Sequence, residues 1–482
     1  MTVTTYEGAV SERIAMEKAA TASVKTIHDL FYDKGIETVL FRNQLIDKRP
    51  SEILSLHLYA RKFVGENISV EDTSALLQEI YNAEVCPSRL DIGRLGAEWM
   101  REGSNFSNKK EFIANKLAAF IGSDKVAPKP KDVVLFGFGR IGRLVARELI
   151  AQEGSGNQLR LRAIVARGTT ADNLEKRASL LRIDSVHGQF PGTVEADTEN
   201  MALIIDGRPI SIIDSKNPED IDYTTYGISD ALLIDNTGAF RDKEALSRHL
   251  AAKGISKVLL TAPGAGVPNI VHGVNQALFD PNEVDIFSAA SCTTNAIVPV
   301  LKVINDKLGI ERGHIETVHA YTNDQNLVDN MHKKYRRGRA AAMNMVITET
   351  GAGKAVDKCI PGLGPKLTSN AIRVPVPDGS LAILSLTVGK DTTKEELNEI
   401  MREAALHGDL VEQINYSLNN ELVSADIVGN PHPSIFDSAA TIVHSDGRNV
   451  NLYVWYDNEY GYSRQVIRLS KHIAQVRRQR YY

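Results

Sequence analysis

The 482-residue chain reads as α/β in three parts. These are an all-α N-terminal extension over 1–125, a doubly wound parallel sheet over 132–290 that a C-terminal helix at 464–482 completes, and an α+β part with a mixed or antiparallel sheet over 291–463. Three observations predict this. Residues 1–125 show helical apolar periodicity with almost no β-branched runs. From residue 132, short apolar runs alternate with helical patterns, as in βαβ units. Beyond residue 310 the runs lengthen and alternate in polarity, as strands with one solvated or interface face do. At about 150 residues per domain, this length suits two or three cores.

In the extension the periodic stretches are Val10–Leu30, Ser51–Phe63, Asp72–Tyr81, Leu90–Met100 and Lys109–Ile121, with Pro50-Ser51-Glu52 and Asp72 as helix entries. Their apolar side chains, among them Phe31, Tyr32, Leu40, Phe41, Leu54, Leu58 and Tyr59, must be buried on one another or on the rest of the chain. Ser123–Lys131 carries two prolines and three lysines, and a solvated linker is expected at 126–131.

Composition excludes some classes of function. With 43% hydrophobic and 24% charged residues the chain is not disordered. Fifty-six Lys+Arg against 60 Asp+Glu leave −4, so no global field draws it to nucleic acid or an anionic membrane. The basic Arg477-Arg478-Gln479-Arg480 reads as a helix C-terminus complementing its dipole. No apolar stretch nears the roughly 18 residues of a membrane span, and the start has no secretory pattern. Cys86, Cys292 and Cys359 lack metal-ligand spacing and fit a reducing compartment, so the expectation is a cytoplasmic protein without a metal.

After the apolar run Val133–Phe136 comes Gly137-Phe138-Gly139-Arg140-Ile141-Gly142, followed by a helix pattern, Arg143–Ile150. In such a turn Gly137 permits the bend, Gly139 admits a pyrophosphate to the backbone, and Gly142 lets helix and strand pack closely. The parallel-sheet part is therefore read as a Rossmann-type dinucleotide domain. The second strand ends Val165-Ala166-Arg167-Gly168, without the acid that would read a free 2′-hydroxyl. Arg167 can pair with a 2′-phosphate, which tilts the cofactor toward NADP, or it is a solvated loop residue.

Cys292, in Ser291-Cys292-Thr293-Thr294-Asn295, follows an apolar run and precedes a helix pattern. A helix N-terminus lowers a thiol's pKa, so this cysteine is the expected nucleophile. His319 ends a strand before a polar loop and is its expected base. The loop Asp324–Arg339 carries Lys333, Lys334, Arg336, Arg337 and Arg339, read either as a solvated basic loop or as part of a phosphate site. The hydroxyl-glycine turn at 348–354 and Arg373, between Ile372 and Val374, favour a phosphorylated substrate held by local groups.

Seven segments in one order, Gly137–Arg143, Asp184–Gly188, Ser291–Asn295, His319–Thr322, Arg339–Ala342, Arg373–Pro375 and Trp455–Ser463, closely resemble phosphorylating glyceraldehyde-3-phosphate dehydrogenase. The resemblance covers about residue 131 to the C-terminus and leaves 1–125 unmatched. It implies that Cys292 attacks the aldehyde, that hydride passes to a nicotinamide, and that inorganic phosphate releases 1,3-bisphosphoglycerate. By the same matching, His319 resembles the general base, Thr322 and Arg373 the substrate-phosphate contacts, and Ser291, Thr293, Thr350 and Gly351 the inorganic-phosphate contacts. Arg337 is placed with either set. Arg140 and Ile141 resemble backbone contacts to the pyrophosphate, Thr261 the ribose contact and Asn458 the carboxamide anchor. A homotetramer is implied.

The chain departs from the family where its strand-two aspartate would stand, and Val328–His332 lacks a Leu-Pro pair associated with NAD selectivity. NADP, alone or with NAD, is therefore expected. Ala296 stands where many members place a second cysteine. The rival readings are a dehydrogenase of erythrose 4-phosphate or a related aldehyde, and a catalytically silent scaffold. The partner of the extension is left open.

Overall fold

A computed structural model describes residues 5–65, 67–122, 128–152 and 158–482. The chain divides into two compact units. The first holds the N-terminal region up to Pro130 together with Val476–Tyr482. The second holds Lys131–Gln152 and Leu159–Gln475. Residues 126 and 127 of the expected linker lie outside the described residues, and Lys131 already opens a strand.

The helices of the first unit are Tyr6–Lys34, Pro50–Val64, Val70–Asn82, Ile92–Glu102 and Lys109–Lys116. Their starts follow local chemistry: Ser69, Asp91 and Asn108 accept from the third amide of their helices, and Pro50 occupies a first turn where no amide is needed. Gly35, at φ 64°, ends the long first helix in the left-handed conformation a side chain resists. Ile27, Leu30, Phe31, Ile53, Leu76, Leu77 and Ile80 are buried in this unit's core.

The extension is not all-α. Strands Asn43–Gln44, Glu37–Leu40, Ser88–Asp91 and Gln479–Tyr481 form a four-stranded sheet in that order. Leu40, expected on a helix, lies in a strand, and Phe41 follows it at φ 42°. Glu37–Leu40 and Ser88–Asp91 run parallel, as do Ser88–Asp91 and Gln479–Tyr481. Four-residue strands buried on both faces show no alternation, and the last partner lies some four hundred positions away in sequence. The expected C-terminal helix at 464–482 is shorter and earlier: it spans Tyr460–Ile473, and the chain then turns into the strand Gln479–Tyr481.

In the second unit the first sheet runs Ile286–Ser288, Ile255–Leu260, Ala231–Asp235, Lys131–Phe136, Leu159–Val165, Arg208–Ile213, with the antiparallel strands Ala202–Ile205 and Val194–Asp197 on that edge. The six central strands are parallel, and their order reverses at Lys131–Phe136, which makes the switch point of a doubly wound sheet. The second sheet is mixed: Val346–Thr348, Leu367–Val374, Ile310–Ala320, Ser380–Val388, Asn449–Tyr456, Ser434–Asp437 and Ile414–Ser417, with Ile442–Val443 also on Asn449–Tyr456. Helix Cys292–Leu308 packs against it and is buried along most of its length. Among the described residues no helix is long and apolar enough to cross a membrane.

Candidate active site

Ser291 caps the helix Cys292–Leu308, its Oγ accepting from Thr294 N–H at 3.1 Å, so Cys292 stands at the first helical position. The turn before it is strained. Ala290 sits at φ 54°, which costs a non-glycine residue about 1–3 kcal/mol. Its carbonyl accepts from Tyr462 Oη at 2.8 Å and its amide donates to Ser288 Oγ at 3.1 Å, so neighbours hold the strained conformation in place.

Cys292 Sγ lies 3.5 Å from His319 Nε2. His319 ends the strand Ile310–Ala320, and Arg373, on the parallel neighbour Leu367–Val374, is in register with it. The other ring nitrogen, Nδ1, is 2.7 Å from the Ala320 carbonyl and 2.8 Å from Arg373 Nη1, which also donates to that carbonyl at 2.8 Å. A protonated Nδ1 donates to the carbonyl, and a bare one accepts from the guanidinium. Either tautomer therefore has a partner, as a proton-passing group requires.

The thiol behaves differently from the sequence-based expectation. Burial raises its pKa, outweighing the nearby Arg373 charge and the hydrogen bonds from Thr293 and the helix start that pull it down. Burial, with Arg373 adding repulsion, pushes His319 down to about 3. Thiolate alone or imidazolium alone is thus disfavoured. Transfer of the proton from Sγ to Nε2 creates both charges at 3.5 Å with no net charge change, and so costs less than forming either.

The anion-binding candidates converge in part. Arg373 is half-buried, its pKa lowered by burial and then by Arg337, and its Nε has no hydrogen-bond partner. Two guanidiniums held close enough to repel favour an anion between or beside them. Arg337 donates to Thr348 Oγ1 at 3.1 Å and to Asp324 at 2.6 Å, and Asp324 also accepts from Thr322. The other basic residues of the loop do not join: Arg339 pairs with Asp329, Lys334 approaches Glu349 at 4.0 Å, and Lys333 and Arg336 are exposed. Thr293 Oγ1 is 3.0 Å from Tyr456 Oη. Thr350 and Gly351 lead into Ala352–Asp357, where Thr350 Oγ1 accepts from Ala352 N–H at 3.2 Å, and no hydrogen bond joins the Thr350 side chain to Cys292, His319 or Arg373 among the described residues.

Replacing Arg373 by lysine is expected to raise KM for a phosphorylated aldehyde by about tenfold or more, since lysine gives up the planar fork. It should also lower kcat, because the contact with His319 is lost. Steady-state kinetics with the substrate varied will check both.

The glycines of the first turn behave as their spacing predicts. Gly137 has φ 98°, and a Cβ at Gly142 would run into the Gly137 carbonyl oxygen. Gly139 caps the helix Arg140–Ala151, and a Cβ there would meet nothing within 4 Å. That open backbone beside a helix N-terminus fits the pyrophosphate of a dinucleotide. Ile141 follows in the first turn, while the Arg140 side chain is held away by Asp184, at 3.0 and 3.1 Å, and by Glu459. Thr261 follows the strand Ile255–Leu260 at the same end of the sheet, its Oγ1 donating to the Asp235 carbonyl at 2.9 Å. Arg167 is exposed, and its carbonyl accepts from Arg177. Asn458 is buried just before the helix Tyr460–Ile473.

Sequence reasoning missed several partners. Tyr456 and Ser380 face each other across the antiparallel strands Asn449–Tyr456 and Ser380–Val388. Near Arg140, the buried Asp378 has its pKa pushed up to about 9 by desolvation and the neighbouring Asp457 charge. His187, Asp378 and Asp457 bring potential metal-ligand atoms within 4.8 Å of one another. Only pairing between distant strands and turns assembles these groups, so no local spacing announces them.

Comparison with known proteins agrees with this geometry. Residues 131–243 match the family model described as glyceraldehyde 3-phosphate dehydrogenase, NAD binding domain, and residues 291–458 match its C-terminal domain. A glyceraldehyde-3-phosphate dehydrogenase-like protein of Pseudomonas aeruginosa (strain UCBPP-PA14) is 48% identical over 457 residues, covering 94% of this chain and 98% of that protein. Glyceraldehyde-3-phosphate dehydrogenase of Kitasatospora aureofaciens is 41% identical over 338 residues, and glyceraldehyde-3-phosphate dehydrogenase 2 of Bacillus subtilis (strain 168) is 40% identical over 343. These two alignments take in 96% of each relative but 70% and 71% of this chain, whereas the Pseudomonas protein matches nearly all of it. The chain therefore belongs to the glyceraldehyde-3-phosphate dehydrogenase family.

Proposed function

We propose that the protein oxidises D-glyceraldehyde 3-phosphate with inorganic phosphate to 1,3-bisphosphoglycerate, reversibly, as a phosphorylating dehydrogenase. The observation that carries this reading is the Cys292–His319–Arg373 cluster, with a sulfur nucleophile 3.5 Å from a base that is itself held by a guanidinium. Cys292 Sγ bonds to the aldehyde carbon while His319 takes the thiol proton. Arg373, with Thr322 and Arg337, holds the substrate phosphate, and Ser291, Thr293, Thr350 and Gly351 serve the attacking phosphate. After oxidation the acyl group sits on Cys292 as a thioester, and phosphate attack on it frees the sulfur. Gly137, Gly139, Arg140, Ile141, Gly142, Thr261 and Asn458 hold the dinucleotide. Bound there, a nicotinamide supplies the acceptor for the hydride that the substrate releases.

The cofactor preference rests on Arg167. It lies in the turn two residues beyond the second strand, Leu159–Val165, is exposed, and makes no side-chain ion pair among the described residues, which suits a 2′-phosphate. NADP should give the higher kcat/KM, and Arg167→Ala should lower that value about tenfold for NADP while leaving NAD unchanged. Assays with both cofactors, glyceraldehyde 3-phosphate and phosphate, with the acyl phosphate trapped by hydroxylamine, test reaction and preference together. A wild-type preference for NAD would overturn the NADP assignment, and the absence of acyl phosphate would overturn the reaction.

A homotetramer fits the exposure of Leu327, Val328, Met331, Tyr335, Met343 and Met345 in one loop region, an apolar surface suited to another copy.

A further inference from the structure

Asp235 and His249 are both fully buried in the doubly wound part of the second unit, and no step of the proposed reaction uses either. Asp235 ends the strand Ala231–Asp235, beside Lys131–Phe136 and the Gly137 bend, where the strand order reverses and a dinucleotide crevice opens. His249 lies in the last turn of the helix Lys243–Leu250, its ring in edge contact with Phe136 and Phe240 at 4.8 and 5.0 Å. Its Nε2 is 2.9 Å from Asp235 Oδ2. A carboxylate withdrawn from water is costly, and its hydrogen bonds show where the compensation lies. Asp235 Oδ1 accepts from Thr237 N–H and from Thr237 Oγ1, both at 2.7 Å. Its main-chain carbonyl accepts from Thr261 N–H at 3.0 Å and from Thr261 Oγ1 at 2.9 Å. The Thr237 turn in turn backs the glycine bend: a Cβ at Gly137 would come within 2.9 Å of Thr237 Cγ2 and 3.1 Å of its amide nitrogen.

We propose that Asp235, braced by His249, is a positioning residue of the dinucleotide site: it locks the Thr237 turn and the Thr261 loop to each other, so that pyrophosphate and ribose meet partners already in place. This rests on the dinucleotide-binding part of the dehydrogenase reading. Neither side chain acts by touching the cofactor, since both are fully buried. Oδ1 holds the turn behind the glycine bend, the carbonyl holds Thr261, and Oδ2 is fixed from below by the imidazole. The two loops come from different strands, and this one residue is bonded to both.

Asp235→Ala removes the acceptor of both Thr237 bonds. It should raise the dissociation constant of the dinucleotide, followed by fluorescence titration, and its KM by about tenfold, leaving KM for the aldehyde unchanged. Asp235→Asn keeps an acceptor oxygen for Thr237 while its amide meets the other tautomer of His249, so both constants should stay within about threefold of wild type. His249→Phe fills the space and withdraws only the brace, and a rise of about fivefold is expected. Dinucleotide constants unchanged in Asp235→Ala, or in His249→Phe should Asp235→Ala not fold, overturn the positioning role. So does a variant in which aldehyde and dinucleotide KM rise alike, as general loosening would cause, or an Asp235→Asn enzyme no better than Asp235→Ala. A wild-type protein that binds neither NAD nor NADP overturns the dehydrogenase reading as well. One that binds a dinucleotide and forms no acyl phosphate overturns the reaction alone, and the dissociation constants of the variants still decide the role of Asp235.

Discussion

Cys292→Ser is expected to lower aldehyde-dependent cofactor reduction by about 10⁴-fold or more, with the fold unchanged by circular dichroism. A serine hydroxyl fits the space but does not ionise beside a neutral imidazole, and an oxygen ester does not keep the reactivity of a thioester. His319→Asn should cost about 10²–10⁴-fold in kcat, the range for loss of a general base. The two variants are linked through the shared proton. Burial raises the thiol's pKa and lowers the imidazole's, so wild-type Cys292 reaches its reactive form most readily by passing its proton 3.5 Å to Nε2. Without His319 the proton must leave for solvent, and a buried sulfur anion stays behind with Arg373 as its main compensation. The inflection in the rate of iodoacetamide labelling should therefore move to higher pH in His319→Asn than in wild type. Equal inflections would show that the imidazole does not share the proton. A wild-type sulfur no more reactive than a free thiol would favour a silent scaffold.

Arg478→Ala is expected to destabilise the first unit by about 3 kcal/mol. Arg478 is buried just before the strand Gln479–Tyr481, and its Nη1 donates at 2.8 Å to Glu37 on the strand Glu37–Leu40, across Ser88–Asp91 in the same sheet. Removing one partner of a buried pair leaves the other charge short of compensation. The loss sits at the low end of that range because Arg89 Nε remains 3.8 Å from Glu37. The two tryptophans allow a direct measurement, since Trp99 lies in the first unit and Trp455 in the second. In a Trp455→Phe background, denaturant unfolding followed by Trp99 fluorescence should shift to lower midpoint with Arg478→Ala. An unshifted midpoint would mean that the ion pair carries no net stability.

Much of the second unit was legible because its signals are local. Gly137, Gly139 and Gly142 are set by one turn, Cys292 by one helix start, and His319 by the end of one apolar strand. The seven segments then pointed by their order to the family that the comparisons show. What was not legible depends on residues meeting across the fold. Ser380 meets Asn458, Tyr456 meets Thr293, and Asp378 meets Asp457 only because strands and turns distant in sequence lie side by side. The sign of the Cys292 shift was misjudged for the same reason: the helix terminus is visible in sequence, and the desolvation that outweighs it is a property of the packed site. In the extension, apolar periodicity marked five of the helices among the described residues. Its strands were hidden because they are two to four residues long, because Glu37–Leu40 is buried throughout, and because residues 479–481 complete the sheet.

That last pairing bears on how the protein is made. The sheet of the first unit includes residues 37–40, which are made before the second unit, and 479–481, which emerge only after everything from 131 to 475. Domains commonly fold in order as they leave the ribosome. This unit can form its helices early, but Ser88–Asp91 waits as an open strand edge until the dehydrogenase unit has been translated. An open edge is a site for wrong pairing. Nascent chains halted near residue 470 should therefore need chaperone protection that completed chains do not.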